Sequence, residues 1–205
     1  MADFRTFDPC NLLAPVPAVM VENAETDKNP NLDLTVVTVA WVGTVNSEPP
    51  MMSISVRGNR FSHDLIAKSG EFVVNLVDEA HCKALDFCGV RSGRDVDKWQ
   101  ECHLTPMKAL NMEYAPAIAE CPAYLACKVV QQLELGSHTM FVGKIVGVQV
   151  RDDLFAADGS LHLEKAGLVT YTHGTYQKAA DVLGFFGYSV ARPEVLKRRM
   201  DALTK

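Results

Sequence analysis

The sequence predicts a mainly β domain, a closed antiparallel barrel with helical additions. Six runs rich in Val, Ile, Thr and aromatic residues dominate the chain. Helical candidates are inserted between these runs rather than alternating with them one for one, which disfavours a doubly wound parallel sheet. No G-x-G-x-x-G follows any run, so the parallel dinucleotide-binding fold also lacks its signature. With 205 residues, 48% of them hydrophobic and 22% charged, the chain can bury roughly 70% of its unfolded surface around one core. It needs neither a disulfide nor a metal to hold that core together.

Taken in order, strands are expected over 17–22, 34–41, 51–57, 71–77, 123–135 and 139–151. Helices are expected over 62–68, closed by Ser69 and Gly70, over 80–87, and over 95–102, where Trp99 and Cys102 share a face. These elements belong to a domain spanning 1–190. Residues 191–205 form a terminal amphipathic helix: Pro193 suits its first turn, and Leu196, Met200 and Leu203 recur on one stripe. Lys197, Arg198 and Arg199 on its other face read as a solvated surface. Phe185, Phe186 and Tyr188, set among glycines just before this helix, favour docking against another surface such as a second subunit.

The net charge of −5 argues against a nucleic-acid partner, which requires a basic face to displace counterions from phosphates. Residues 1–7 lack the basic start and apolar core of a secretory signal, so the expected location is the cytoplasm. The longest uncharged apolar stretch, 34–45, falls short of the ~20 residues that cross a bilayer, and no membrane span is expected. The six cysteines, Cys10, Cys82, Cys88, Cys102, Cys121 and Cys127, are expected to be reduced. No C-x-x-C occurs. His81, Cys82, Cys88, Cys102 and His103 crowd one segment, but they read as buried or half-buried groups on helix faces rather than as a metal site.

The segment 51–63, MMSISVRGNRFSH, carries the strongest chemical suggestion. An alternating strand ends in Arg57-Gly58-Asn59-Arg60 and runs into a helix starting near Ser62. Two guanidinium groups, a glycine that permits close approach and free helical N–H groups make an anion site suited to a phosphate monoester. Surface arginines near a turn with no ligand are the alternative. In TVVTVAW (35–41), Thr38 and Ala40 fall on one side, and Val39 and Trp41 on the other. Small and hydroxylic residues there admit a flat heteroaromatic ring, unless the strand is plain core. No G-x-S-x-G, P-loop or H-E-x-x-H is present. A phosphorylated organic cofactor would then carry the chemistry.

Asn31 followed by TVVTVAW, Pro49-Pro50 before MMSISVR, GEFVVNL (70–76), SGRDVDKW (92–99), APAIAECPAYLACKV (115–129) and GSHTMFVGKIVGV (136–148) occur in this order. Together they resemble the flavin reductase-like, FMN-binding split-barrel proteins, most closely the flavoredoxin branch. The resemblance implies a six-stranded Greek-key split barrel that works as a homodimer, with FMN in a groove at or near the subunit interface.

Carried onto matching positions, Thr38, Ala40 and Trp41 would border the isoalloxazine. Ser53, Ser55 and Arg57 would follow the ribityl chain, and Arg60 and Ser62 would complete the phosphate grip. Val39 and Val56 belong to the same cofactor-binding set. Lys98 resembles a position near the flavin, although pairing with Asp95 or Asp97 explains it equally well. His138 resembles a histidine on the nicotinamide side of the flavin and is the expected catalytic residue. Ser137 stands where the family commonly has Asp, which leaves the protonation of His138 open.

The expected activity is transfer of hydride from NADH or NADPH to bound FMN, then of electrons to free flavin, a ferric complex or a partner redox protein. The alternative is an FMN electron carrier between redox proteins. A sensor using the segment from Cys82 to His103 is a third possibility. FMN is favoured over FAD because the residues supply one terminal phosphate site and nothing evident for adenine.

Overall fold

The structure, a computed structural model, describes residues 4–24, 34–179 and 181–203; Asn31, Met1 and Lys205 lie outside them. The strands are Val16–Pro17 (β1), Val19–Asn23 (β2), Thr35–Val39 (β3), Val42–Asn46 (β4), Met51–Arg57 (β5), Glu71–Leu76 (β6), Pro106–Met107 (β7), Ala117–Ile118 (β8), Ala123–Glu134 (β9), His138–Val150 (β10), Val169–Thr172 (β11) and Thr175–Lys178 (β12). The α-helices are Phe61–Ser69 (α1), Cys82–Val90 (α2), Lys98–Glu101 (α3) and Pro193–Leu203 (α4). No helix among the described residues is long and apolar enough to cross a membrane.

Seven strands form one antiparallel sheet in the order β3-β2-β6-β9-β10-β5-β4. Its two edges, β3 and β4, are consecutive in the chain and separated only by Ala40 and Trp41. The edges are therefore two halves of one bent run, and the sheet curls until they meet. At the bend the Ser55 N–H donates to the Trp41 carbonyl at 2.9 Å. The resemblance implies six strands; this sheet has seven. Residues 42–46 were not expected to be a strand, because V-G-T-V-N is mostly exposed and lacks a strong apolar alternation.

Inside the curl, alternate residues of five strands meet: Val19 and Val21, Val37 and Val39, Ile54 and Val56, Phe72 and Val74, and Phe141, with Ile66 entering from α1. A Cβ at position 143 would lie 2.6 Å from the Phe72 ring, so this ring fills the interior only because Gly143 faces it. A second core, including Met20, Val36, Leu85, Cys88, Trp99 and Ile118, joins the outer face of β2 and β3 to α2 and α3. Burial on both faces explains why 17–22 and 34–41 read as nearly continuous apolar runs.

The third expected helix is shorter than 95–102. Asp97 caps it, accepting from the backbone N–H groups of Trp99 and Gln100, so the helix begins only at Lys98. The β11–β12 hairpin, absent from the sequence reading, turns at His173 and Gly174, both at positive φ.

Glu22 follows Met20 on the outward side of β2 and is wholly buried. Its carboxyl oxygens have no hydrogen-bond partner among the described residues. Burial lifts its pKa well above 4.5, with Lys98 opposing. Because the folded pKa is raised, the unfolded chain loses its proton first as pH climbs, and stability falls from about pH 4.5 upward. Glu22→Gln removes this dependence. Urea unfolding should show the variant gaining stability relative to the parent as pH rises above about 4.5; parallel behaviour above that pH would refute the assignment.

Candidate functional site

Three cavities lie along the outer face of β5 and the β3–β4 bend. Met52, Ile54 and Val56 enter the core, which leaves Ser53, Ser55 and Arg57 facing outward. At the Arg57 end, a cavity of about 460 Å³ is lined by Arg57, Arg60, Ser62, Arg91, Gly93 and Lys98. It shares Val37, Arg57 and Arg60 with a groove of about 600 Å³, lined also by Thr38, Val39, Ala40, Trp41, Ser55, Val56 and His138. These two spaces bring together every expected site residue except Ser53. Ser53, about 7 Å along β5 from Ser55, lies instead in a third cavity of about 490 Å³ beyond Trp41.

The first cavity is built for an anion. No Asp or Glu lines it. The side chains of Arg57, Arg60 and Arg91 make no hydrogen bond or ion pair with another described residue. α1 is nine residues long, and Arg60, its N-cap, makes no side-chain capping bond; the His63 N–H donates to the Arg60 carbonyl, which leaves those of Phe61 and Ser62 for a ligand. Gly93 lets the loop after α2 press onto β3, since a Cβ there would lie 2.2 Å from the Thr35 hydroxyl. These unspent donors fit the phosphate of a flavin nucleotide.

Lys98 pairs with neither Asp95 nor Asp97. Its ammonium, on a residue only 4% exposed, donates to the Val36 carbonyl at 2.7 Å and the Cys88 carbonyl at 2.8 Å, joining the end of α2 to β3. Burial pulls its pKa down from 10.5. Cys88 behind it has its thiol pKa raised by burial, and among the described residues no cluster of three His, Cys, Asp or Glu is placed to hold a metal.

In the groove, His138 lies opposite Arg57 in the β5–β10 ladder and stacks on Trp41, with centroids 6.2 Å apart and planes at 11°. Burial first, then the Arg57 charge, lowers the pKa of the imidazole below 6.5 and keeps it neutral at pH 7. The Ser137 hydroxyl lies 2.9 Å from its Nδ1. Trp41 was expected on the side opposite Ala40. The chain bends there, and both residues line the groove. Asp86, Tyr171 and Tyr176 also line it. Tyr176 is pushed up to about 12 by burial, with Asp86 adding to the effect.

Arg94 holds the anion cavity together from outside. It donates to the Asn59 carbonyl and to Asp64 Oδ2, both at 3.2 Å, and its guanidinium stands 5.1 Å over the Phe61 ring. It thus ties the loop carrying Arg91 and Gly93 to the start of α1. α1 is fixed again through His63, whose Nε2 lies 2.9 Å from the Thr139 hydroxyl; that hydroxyl donates to Glu134.

Sequence reasoning gave no role to Arg91, Arg94, Asp86, Tyr171 or Tyr176. The tyrosines had a usable signal in the alternation of V-T-Y-T before His173-Gly174. Arg91 immediately precedes the 92–99 segment and Arg94 lies within it, and no local pattern marks either as part of an anion site.

The family model described as flavin reductase like domain matches residues 14–180. The flavoredoxin of Desulfovibrio vulgaris (Miyazaki F) superposes with a TM-score of 0.82 at 24% identity, covering 92% of this chain and all of that one. An uncharacterized protein of Archaeoglobus fulgidus is 34% identical over 113 residues, which is 55% of this chain and 63% of that protein. The reductase component of a 4-nitrophenol 4-monooxygenase/4-nitrocatechol 2-monooxygenase from Rhodococcus opacus is 28% identical over 112 residues, 55% of this chain and 56% of that protein. The matches thus span less than two thirds of these two relatives.

Arg94→Ala should release the two walls of the anion cavity. Titration with FMN is expected to show affinity reduced about tenfold, equivalent to about 1.4 kcal/mol, while Arg94→Lys recovers only part because it cannot hold both acceptors at once. Undiminished FMN affinity in Arg94→Ala would refute the clamp.

Proposed function

The chain belongs to the flavin reductase like domain family, and from that premise we propose an FMN-dependent oxidoreductase that takes hydride from NADH or NADPH and passes electrons to a second acceptor. The observation that carries this reading is the continuity of an anion cavity free of carboxylates with a groove walled by Trp41 and His138. One end suits a phosphate and the other a flat ring. When bound, the flavin supplies hydride acceptance and onward transfer of electrons.

In this reading Arg57, Arg60 and Ser62 hold the phosphate, assisted by Arg91 and the open N–H groups of α1. Thr38, Val39, Ala40, Trp41, Ser55 and Val56 border the ribityl chain and ring. Lys98 fixes the shape of the cavity through its two carbonyl acceptors and adds positive potential beneath the phosphate. His138, neutral and stacked on Trp41, positions the incoming nicotinamide and offers a hydrogen bond without adding charge. The protein works in the cytoplasm as a homodimer, and a second copy completes the open side of the groove. The half-exposed Trp41, at 46%, favours this arrangement because a partner would cover it.

The same exposure favours a second reading, an electron carrier whose flavin edge lies near the surface for direct exchange with a redox protein. Anaerobic stopped-flow on FMN-loaded protein separates the two. Bleaching of the flavin band by NADH or NADPH within seconds is the expected result. Inertness to both nucleotides, with rapid reduction by a ferredoxin-type donor, would establish the carrier instead.

A further inference from the structure

We propose that the third cavity, between the segment before β1 and the bend into β4, binds the electron acceptor, and that this acceptor is a neutral planar molecule of the quinone class. The inference rests on the flavin reading of the adjoining groove. The cavity, about 490 Å³, falls within the usual range for small-molecule sites. Its walls include Leu12, Leu13, Val42 and Val45, and no Asp, Glu, Lys or Arg lines it.

Apart from the His173 imidazole, that lining holds no group able to carry a charge at neutral pH, which disfavours the charged candidates. Phosphates of a nicotinamide dinucleotide and carboxylates of a ferric chelate need cations when they leave water. In this protein the cations gather at the opposite end of the groove. A flat aromatic ring needs what the third cavity offers, apolar walls and aromatic faces. Leu12 at 52% and Val45 at 50% exposure form an apolar rim at its mouth. The hydroxyls of Thr44, Ser53 and Ser55 line the same space without a hydrogen bond to another described residue, and are free to donate to ring carbonyls.

The cavity also has the right neighbour. Ala40, Trp41, Ser55 and Tyr171 line both it and the groove, so the two spaces meet across Trp41. In the transfer, the reduced flavin gives up two electrons and two protons and returns to its oxidised form. The quinone accepts them, and its two carbonyl oxygens become phenolic hydroxyls.

Equilibrium dialysis of the FMN-loaded full chain against 2-methyl-1,4-naphthoquinone tests the site directly. Saturable uptake is expected, reduced at least about tenfold (about 1.4 kcal/mol) in Val45→Arg and, independently, in Leu12→Glu. Both variants should retain FMN and the rate of flavin bleaching by nicotinamide nucleotide. FMN retention without quinone uptake, or uptake unchanged in both variants, overturns this inference alone. Absence of quinone uptake together with dissociation of a dimer in Val45→Arg identifies the cavity as an interface between copies and also overturns it. Failure of the parent chain to bind FMN overturns the flavin reading and this inference with it.

Discussion

Three guanidinium groups, those of Arg57, Arg60 and Arg91, meet in one cavity with no carboxylate among its lining residues. Like charges gathered in this way repel one another, and an unliganded cavity must bear that cost. The scaffold enforces the arrangement from three directions. Arg57 ends a strand paired with β10, Arg60 is fixed by its N–H bond to the Arg57 carbonyl at 3.0 Å, and Arg91 terminates α2 with its N–H on the Phe87 carbonyl at 2.9 Å. A dianionic phosphate reverses the sign of the interaction. In the proposed function, the use of the groove and of its ring platform follows from anchoring that phosphate.

The barrel places the anchor and the platform on one line. Period-two alternation turns Ser53, Ser55 and Arg57 outward while Ile54 and Val56 fill the interior, so one strand serves both core and site. The bend at Ala40 and Trp41 closes the sheet and also swings the indole over the same face. Gly93 and Lys98 then seat the α2–α3 loop against β3, the first by lacking a side chain and the second by spanning two backbone carbonyls. Closing the barrel and building the site are therefore the same structural event at this end of the molecule.

Much of this was legible in the sequence where the signal was local. β5 has the expected limits, because strict alternation between Pro50 and Gly58 allows little else. That Arg57, Arg60 and Ser62 would share one cavity was readable because strand end, turn and helix start follow one another within six residues. What tertiary contact creates was not readable. Arg91 reaches the cavity only after α2 docks, and Lys98 chooses carbonyl acceptors that leave no mark on the sequence while two nearby aspartates invite a wrong pairing. Ser53 was placed with the ribityl chain by resemblance, whereas the line of β5 carries it past Trp41 into the third cavity. β4 and the β11–β12 hairpin were missed because short, exposed strands carry weak apolar patterns.

The most direct test compares FMN with riboflavin, which has the same ring and ribityl chain but no phosphate. Titration of the flavin-free protein at low ionic strength should show FMN binding at least about 100-fold more tightly, about 2.7 kcal/mol, with the advantage shrinking as salt screens the guanidinium groups. Equal affinity for the two flavins, indifferent to salt, would contradict the account.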